Sequence, residues 1–486
     1  MKRKLALATI ALLIANFMGG LDATIVNTAL PVIISDLNGI RLVGWVSSVF
    51  LLGTAITTVL WGRIGETIGN KRAFQISVLL FISSSVVAGF STSMIILIVA
   101  RAVMGIGTGG MVSIPFIIYA DIYPNAAQRA RALGWVTASY TLSTVSGPII
   151  GGWLVDQFTW HWIFFINLPI GIISMLLLQW AYQDRKHQGE RQAFDYAGAA
   201  VLALALILLL FAGDALAVSG LCAVLLLLAG VILLAAFWRV EGRVSNPLIP
   251  HRLITARPVQ AQNLIMFLIN GFFIGYSVYA PMWAQGILGT NATLGGLTQI
   301  AGSLMLLIGT RLTTHLMTKL GYKTIVLVGT SSLLISALAM VLATKNAPYW
   351  WSLVSGAFEG FGMGLSFTPM QVSIQDGVEK ELVSVSTTFG LLFRTLGETF
   401  LASIFGAVLS LSTTRQVATA GHGITTNMIN HLSDSATAKS LDPALLPQLR
   451  TILFNGIHTI MVIGLVLIVI AFLINIRRRE PKLAAR

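Results

Sequence analysis

Residues 5–34 read LALATIALLIANFMGGLDATIVNTALPVII, thirty positions with a single ionisable side chain, Asp22. About twenty apolar residues suffice to cross a hydrocarbon core roughly 30 Å thick. Nothing there but the chain itself can satisfy backbone N–H and C=O groups, so a run of this length must be helical. Lys2, Arg3 and Lys4 precede it, as in a secretory leader. The run continues far past the apolar stretch of such a leader, with no small-residue cleavage site before a soluble domain, so it reads as a first transmembrane helix.

Working outward, the pattern repeats to the other end. The chain is 56% hydrophobic and only 10% charged, against about 25% charged in a soluble domain. Taking polar breaks as boundaries, spans fall at 5–34, 42–64, 72–91, 93–121, 132–156 and 160–181, then a pair at 195–214 and 217–238. Six more follow at 258–286, 293–319, 322–344, 348–375, 383–412 and 451–476. The central pair is almost pure Ala, Leu, Val and Ile, suited to face lipid. The segment 413–450 is polar and rich in Ser, Thr, Asn and His, and is expected to be a solvated extracellular loop too small for an independent domain. The lone cysteine, Cys222, cannot form an intramolecular disulfide and reads as inert packing.

A net charge of +13 invites a nucleic-acid reading, which its placement removes. Lys2, Arg3, Lys4, Lys71, Arg72, Arg129, Arg131, Arg185, Lys186, Arg191, Arg239, Arg243, Arg252, Arg257 and Arg477 to Arg479 all fall on one side of the spans. The opposite loops hold Arg41, Lys345, Arg415, Lys439 and Arg450. Cytoplasmic loops carry the excess of Lys and Arg. Both termini are therefore expected in the cytoplasm, with an even number of spans and a share of the charge serving lipid attraction.

Charges inside the spans are the sharpest chemical signal. Each costs about 2.5–3.5 kcal/mol at a helix centre on insertion scales, so one is rarely kept without a partner or a task. Asp22, Arg101, Glu359, Arg394 and Glu398 are the candidates. A buried acid in a watered cavity attracts a cation and exchanges it for a proton. Asp22 and Glu359 have no neighbour of opposite charge along the chain, which favours that role; Arg101 is a counter-ion candidate for one of them. Glu398 lies four residues after Arg394 on one helix face, so a structural ion pair and a functional acid both stay open.

Other motifs fail on context. Gly105, Gly107 and Gly110 match dinucleotide-site spacing but sit in an apolar span with no preceding strand. No phosphate-binding loop, zinc helix, serine elbow or paired C-x-x-C occurs, and His422 and His431 read as solvated. No catalytic residue, metal or cofactor is expected, and a lipid-acting membrane enzyme lacks its nucleophile.

One loop and one helix remain. Gly62-Arg63-Ile64-Gly65-Glu66-Thr67-Ile68-Gly69-Asn70-Lys71-Arg72 combines small residues with charges at a cytoplasmic helix end. Ser143-x-x-x-Gly147-Pro148-x-x-Gly151-Gly152 combines a kink with a small-residue face, as a helix needs if it rocks against a neighbour. With Leu21-Asp22-Ala23-Thr24-Ile25-Val26-Asn27-Thr28-Ala29-Leu30-Pro31, Arg101 to Gly107, and Trp160-His161-Trp162-Ile163-Phe164-Phe165-Ile166-Asn167-Leu168-Pro169-Ile170-Gly171, they occur in the order of a known pattern.

The chain resembles the major facilitator superfamily, and within it the fourteen-helix drug:proton antiporter branch. It departs at Glu66, where Asp is usual, at Ser143 in place of glycine, at His161 in place of Arg, and at Thr318 in the second-half gate loop. The resemblance implies an all-α transmembrane fold of fourteen helices: an N-terminal six-helix bundle (1–182), a linker with an inserted helix pair (183–257), and a C-terminal six-helix bundle (258–486). It implies alternating access, with Asp22 and Arg101 on the pathway. Gly62, Arg63, Glu66, Gly69, Lys71 and Arg72 would form the cytoplasmic gate loop, and Ser143, Gly147, Pro148, Gly151 and Gly152 the antiporter motif. The expected function is proton-coupled export of amphipathic, cationic drugs from a bacterial cell membrane, with antibiotic resistance its consequence. The alternative is another cargo, such as an amino acid, sugar, siderophore or organic anion. Partners are the small-molecule substrate, protons and the bilayer, with no nucleic acid and no obligate protein partner.

Overall fold

The computed structural model describes residues 2–123, 126–184, 196–215, 219–241, 257–317, 319–376, 383–420 and 423–478. Arg185, Lys186, Arg191, Arg243, Arg252, Thr318 and His422 lie outside the described residues, as do the side chains of Arg63, Glu66, Arg129, Arg131 and Arg257.

No strand occurs among the described residues. The long helices are α1 (Lys2–Leu37), α2 (Val43–Ile68), α3 (Asn70–Gly89), α4 (Met94–Ile122), α5 (Ala126–Gln157), α6 (Asn167–Ala181), α7 (Tyr196–Ala215) and α8 (Gly220–Glu241). After them come α9 (Arg257–Met282), α10 (Ile300–Leu316), α11 (Tyr322–Leu342), α12 (Trp350–Asp376), α13 (Val383–Thr419) and α14 (Leu446–Arg477). Eleven stretches among the described residues are long and apolar enough to cross a membrane. Those stretches do not include α5 or α12, and α7 contributes only the shorter apolar stretch Ala200–Ala212.

Several boundaries differ from the polar breaks. The sixth span is broken into a short helix, Trp162–Phe165, and α6. The tenth opens with the short helix Ala292–Leu297 before α10. Within 413–450, α13 continues to Thr419, and Thr426–Leu432 and Ser435–Ala438 are short helices. This polar segment is folded onto the bundle: Ile429 and Leu432 are buried beside α1 and α14.

Helix placement follows from what each surface meets. Helix α9 is mostly buried, which makes it central, whereas α8 is mostly exposed, which leaves it peripheral. Large apolar side chains face outward throughout, among them Phe90, Trp180, Leu221 and Leu342. In water such a surface would be an aggregation liability; against acyl chains it is at no disadvantage. Cys222 is free and exposed at the start of α8. Proline interrupts α1 at Pro31, α4 at Pro115, α5 at Pro148, α9 at Pro281 and α12 at Pro369. Each removes one backbone hydrogen bond and bends its helix. After Pro281 the chain widens into a π-helical turn, Trp283–Ile287.

In chain order α1 to α6 form one half and α9 to α14 the other. Helix α1 packs on α5 and α6, and α4 on α2 and α3; likewise α9 packs on α13 and α14, and α12 on α10 and α11. The pair α7–α8 packs on itself and reaches both halves. Trp45 of α2 meets Phe211 of α7 with ring centroids 4.5 Å apart, and the Ser403 hydroxyl of α13 donates to the Leu210 carbonyl at 3.3 Å. The pair thus lies against the seam between α2 and α13.

Candidate transport site

Helices α1 and α4 bring Asp22 and Arg101 together, both fully buried. Arg101 Nη1 donates to Asp22 Oδ2 at 2.5 Å, with side-chain exposures of 2% and 0%. Asn167 Nδ2, at the start of α6, approaches Asp22 Oδ1 at 3.4 Å and donates to Ser85 Oγ of α3 at 3.0 Å. Arg101 Nε donates to the Val46 carbonyl at 3.3 Å, and its guanidinium lies 4.0 Å from the Phe50 ring centroid. Five helices therefore converge on one neutralised pair. The counter-ion expected of Arg101 is assigned: it serves Asp22.

The i,i+4 pair on α13 is also an ion pair, with Arg394 Nε to Glu398 Oε1 at 3.0 Å. The Arg394 guanidinium sits 5.0 Å from the Phe367 ring of α12 and faces the Tyr140 hydroxyl of α5 in the other half.

Glu359 stands apart from both. It is 4% exposed, has no ion-pair partner among the described residues, and its Oε1 is buried without a hydrogen bond. Its space comes from the missing side chain of Gly302 on α10: a Cβ there would lie 3.1 Å from Glu359 Oε2 and 3.0 Å from the Gly356 carbonyl. Close approach of α10 and α12 at Gly302 and Gly360 seats the carboxylate in a tight helix junction. Tyr276 of α9 reaches the same turn of α12 and donates to the Ser352 carbonyl at 2.7 Å.

The gate-loop residues form a turn between α2 and α3. Gly69 takes φ 96°, a left-handed conformation that favours glycine. The Lys71 N–H donates to Asp184 Oδ1 at 3.0 Å, and Lys71 Nζ to the Gln179 carbonyl at 2.7 Å. Arg72 is exposed and Gly62 packs loosely toward Ile117. Asp184, which holds the turn from beyond α6, carried no sequence signal.

The antiporter-motif residues form two faces of α5. Gly147 and Gly151 pack on Thr24 and Ile25 of α1, and Ser143 Oγ donates to the Tyr140 carbonyl at 2.6 Å. Gly152 faces the other half: a Cβ there would meet Thr293 Cα at 2.6 Å and the Ala292 carbonyl at 2.8 Å. The Pro148 carbonyl abuts Gly296. Of the motif, Pro148 and Gly152 thus lie at the seam between the halves, and Gly147 and Gly151 pack within one half.

More contacts close that seam at the end away from the termini. Asn27 Nδ2 donates to Ser277 Oγ at 2.9 Å, Gln285 Nε2 to the Thr28 carbonyl at 3.1 Å, and Ser35 Oγ and Thr437 Oγ1 are 2.7 Å apart. Gly44 of α2 lies against Ala402 and Gly406 of α13. Near this end, Trp160 donates to Asp36 Oδ2 at 2.8 Å and stacks on His161 at 3.9 Å. Burial holds the His161 imidazole below the ordinary histidine value, with the Asp36 charge pulling the other way.

Comparison with known proteins places this architecture. The model of the Major Facilitator Superfamily matches residues 12–195 and 188–402. The chain is 30% identical to the "Multidrug transporter protein MdtP" of Bacillus subtilis (strain 168), across 90% of this chain and 80% of that protein. It is 26% identical to "Multidrug resistance protein 3" of the same organism, across 95% and 93%. Among solved structures, a bacterial homologue of the human lysosomal transporter Spinster, inward-facing and occupied, superposes with a TM-score of 0.70 at 15% identity, covering 96% of this chain and 95% of that one. A D-xylose-proton symporter gives 0.61 at 15%, covering 88% and 95%. At that identity the likeness carries the fold alone. A multi-pass membrane protein with this match along most of its length is a transporter, and the chain belongs to the Major Facilitator Superfamily.

Proposed function

We propose that the protein is a proton-coupled antiporter that exports amphipathic, cationic compounds by alternating access. The observation that carries this reading is the difference among the three buried acids of the described residues, Asp22, Glu359 and Glu398. Asp22 and Glu398 are neutralised by arginines; Glu359 is not. A lone carboxylate in a low-dielectric helix junction requires a neutralising partner. Proton and cationic cargo are the two that a drug antiporter exchanges, and Glu359 is assigned as the group over which they compete.

The wider architecture belongs to the same proposal. Besides the eleven apolar stretches, α5, α7 and α12 are taken to cross the membrane, giving fourteen helices as six, two and six. On the loop-charge reading both termini are cytoplasmic and the closed seam faces outward, so cargo exchanges with the cytoplasm in this state. The names of the relatives, multidrug transporters among them, support drug-type cargo. Of the arginines that could favour an anionic cargo, Arg101, Arg394 and Arg311, the first two are paired with carboxylates.

Exchanging one proton for a monovalent cation is electroneutral and draws on the pH gradient alone. Everted vesicles with a preset pH gradient test the reading. Addition of a dye cation should collapse the gradient in the parent protein and leave it intact with Glu359→Gln. Equal collapse by that variant would refute the role of Glu359, and uptake of a neutral metabolite in place of any cation would refute the cargo.

A further inference from the structure

The closed end is held by two side chains that mirror each other across the halves. Asp156, at the end of α5, reaches the other half. Its Oδ1 accepts from the Ala292 N–H at 3.1 Å, its Oδ2 from the Thr293 N–H at 2.9 Å, and the Thr293 hydroxyl donates to the same oxygen. Those N–H groups open the short helix Ala292–Leu297, where Asn291 Oδ1 accepts only from the Leu294 N–H, at 3.0 Å. First-turn donors have no partner inside their own helix. Here they are divided between the helix's own cap and a carboxylate from the opposite half.

Asn430 does the same in reverse. It lies in Thr426–Leu432, the segment after α13, and is 4% exposed. Its Oδ1 accepts from the Ile40 N–H at 3.1 Å and its Nδ2 donates to Asn38 Oδ1 at 3.5 Å. Ile40 opens the 3₁₀ turn Ile40–Leu42, and Asn38 takes a left-handed φ of 52°. Each half thus sends one polar side chain, from the end of its fifth helix or just after it, to cap the turn between the first and second helices of the other. Separating the halves at this end strips both turns of their caps at once.

We propose that Asp156 and Asn430 are a reciprocal pair of latches, positioning residues that hold this end closed while the opposite end exchanges cargo. Neither touches the buried acids. The inference rests on alternating access of the two halves and is independent of proton coupling and of cargo, so its test reads conformation alone.

The test uses the full chain in lipid nanodiscs, with Cys222→Ser as background and single reporter cysteines labelled by a maleimide. Thr28→Cys reports the latched end: Thr28 is fully buried and faces Gly296 across the seam. Tyr140→Cys reports the space between the halves on the side away from the latches: Tyr140 is 37% exposed, lies midway along α5 beside Arg394, and packs near Gly20. Asn430→Ala should raise Thr28→Cys labelling about tenfold, and Asp156→Ala, whose charged acceptor is exposed to solvent, by a similar factor. Labelling of Tyr140→Cys should fall in both, because opening one end closes the other. Asp156→Asn, which keeps a carbonyl acceptor, should restore part of the parent behaviour. Thr293→Val, losing one hydroxyl, should shift both reporters a few-fold in the same sense even if Asp156→Ala does not fold. Unchanged reporters would overturn the proposal. So would a rise at both, which means general loosening.

Discussion

Replacing Arg101 by methionine would leave the Asp22 carboxyl buried and without its counter-charge. At 2.5 Å and an effective dielectric of about 20, Coulomb's law gives roughly 6–7 kcal/mol of attraction, before the desolvation of both groups is subtracted. Breaking such a pair from one side costs about 3–5 kcal/mol, since the surviving charge keeps its desolvation and loses its partner. The remaining neighbour, Asn167 at 3.4 Å, is too distant to compensate. Asp22→Asn strands Arg101 in turn, though the Val46 carbonyl and the Phe50 ring soften that loss. The double variant Asp22→Asn/Arg101→Met removes both charges and should recover most of the stability. A double-mutant cycle, measured by denaturant unfolding in mixed micelles, should therefore show a coupling of about 2–4 kcal/mol. Additive losses to within about 0.5 kcal/mol would refute the reading of these residues as one neutralised unit.

Other consequences follow from the seam and its rim. A side chain at Gly406 would meet Gly44 Cα at 2.7 Å, so Gly406→Val should wedge α2 from α13. Cross-linking of the Ser35→Cys/Thr437→Cys pair, whose native hydroxyls are 2.7 Å apart, should then fall at least about tenfold, with transport lost; undiminished cross-linking would count against the seam. The His161 titration, followed by NMR of labelled histidine rings, should have its midpoint below that of a free histidine, because burial outweighs Asp36. Asp36→Asn removes the opposing influence and should lower it further; a rise would reverse the assignment. The folded state binds fewer protons there than the unfolded one. Stability from this group is full above the unfolded value and is lost as pH falls below it.

How much was legible in advance depended on the distance over which each interaction acts. The membrane class and the apolar helices were plain, because a run such as 5–34 admits no other solution in lipid. Arg101 was marked as a counter-ion by its cost, yet its partner was invisible: Asp22 and Arg101 are 79 residues apart and meet only when α1 and α4 pack. For the same reason Asp22 and Glu359 looked alike along the chain, and packing made them opposites. Segment 413–450 read as a solvated loop from its Ser, Thr and Asn content, but Asn430 and Thr437 spend those groups on α1 and the turn after it. Asp156 looked like the polar end of a span; its partners are 136 and 137 residues away. The break at Ile166 escaped notice because both sides of it are apolar.

The central claim is that Glu359 exchanges a proton for a cationic cargo. Its most direct test needs no gradient and no vesicle. Purified protein in weakly buffered detergent solution is mixed with a dye cation while a pH indicator reports proton release. Release from the parent protein at each binding event, abolished in Glu359→Gln, is the predicted result. The same release from that variant, or dye binding to the parent without any release, would contradict the account.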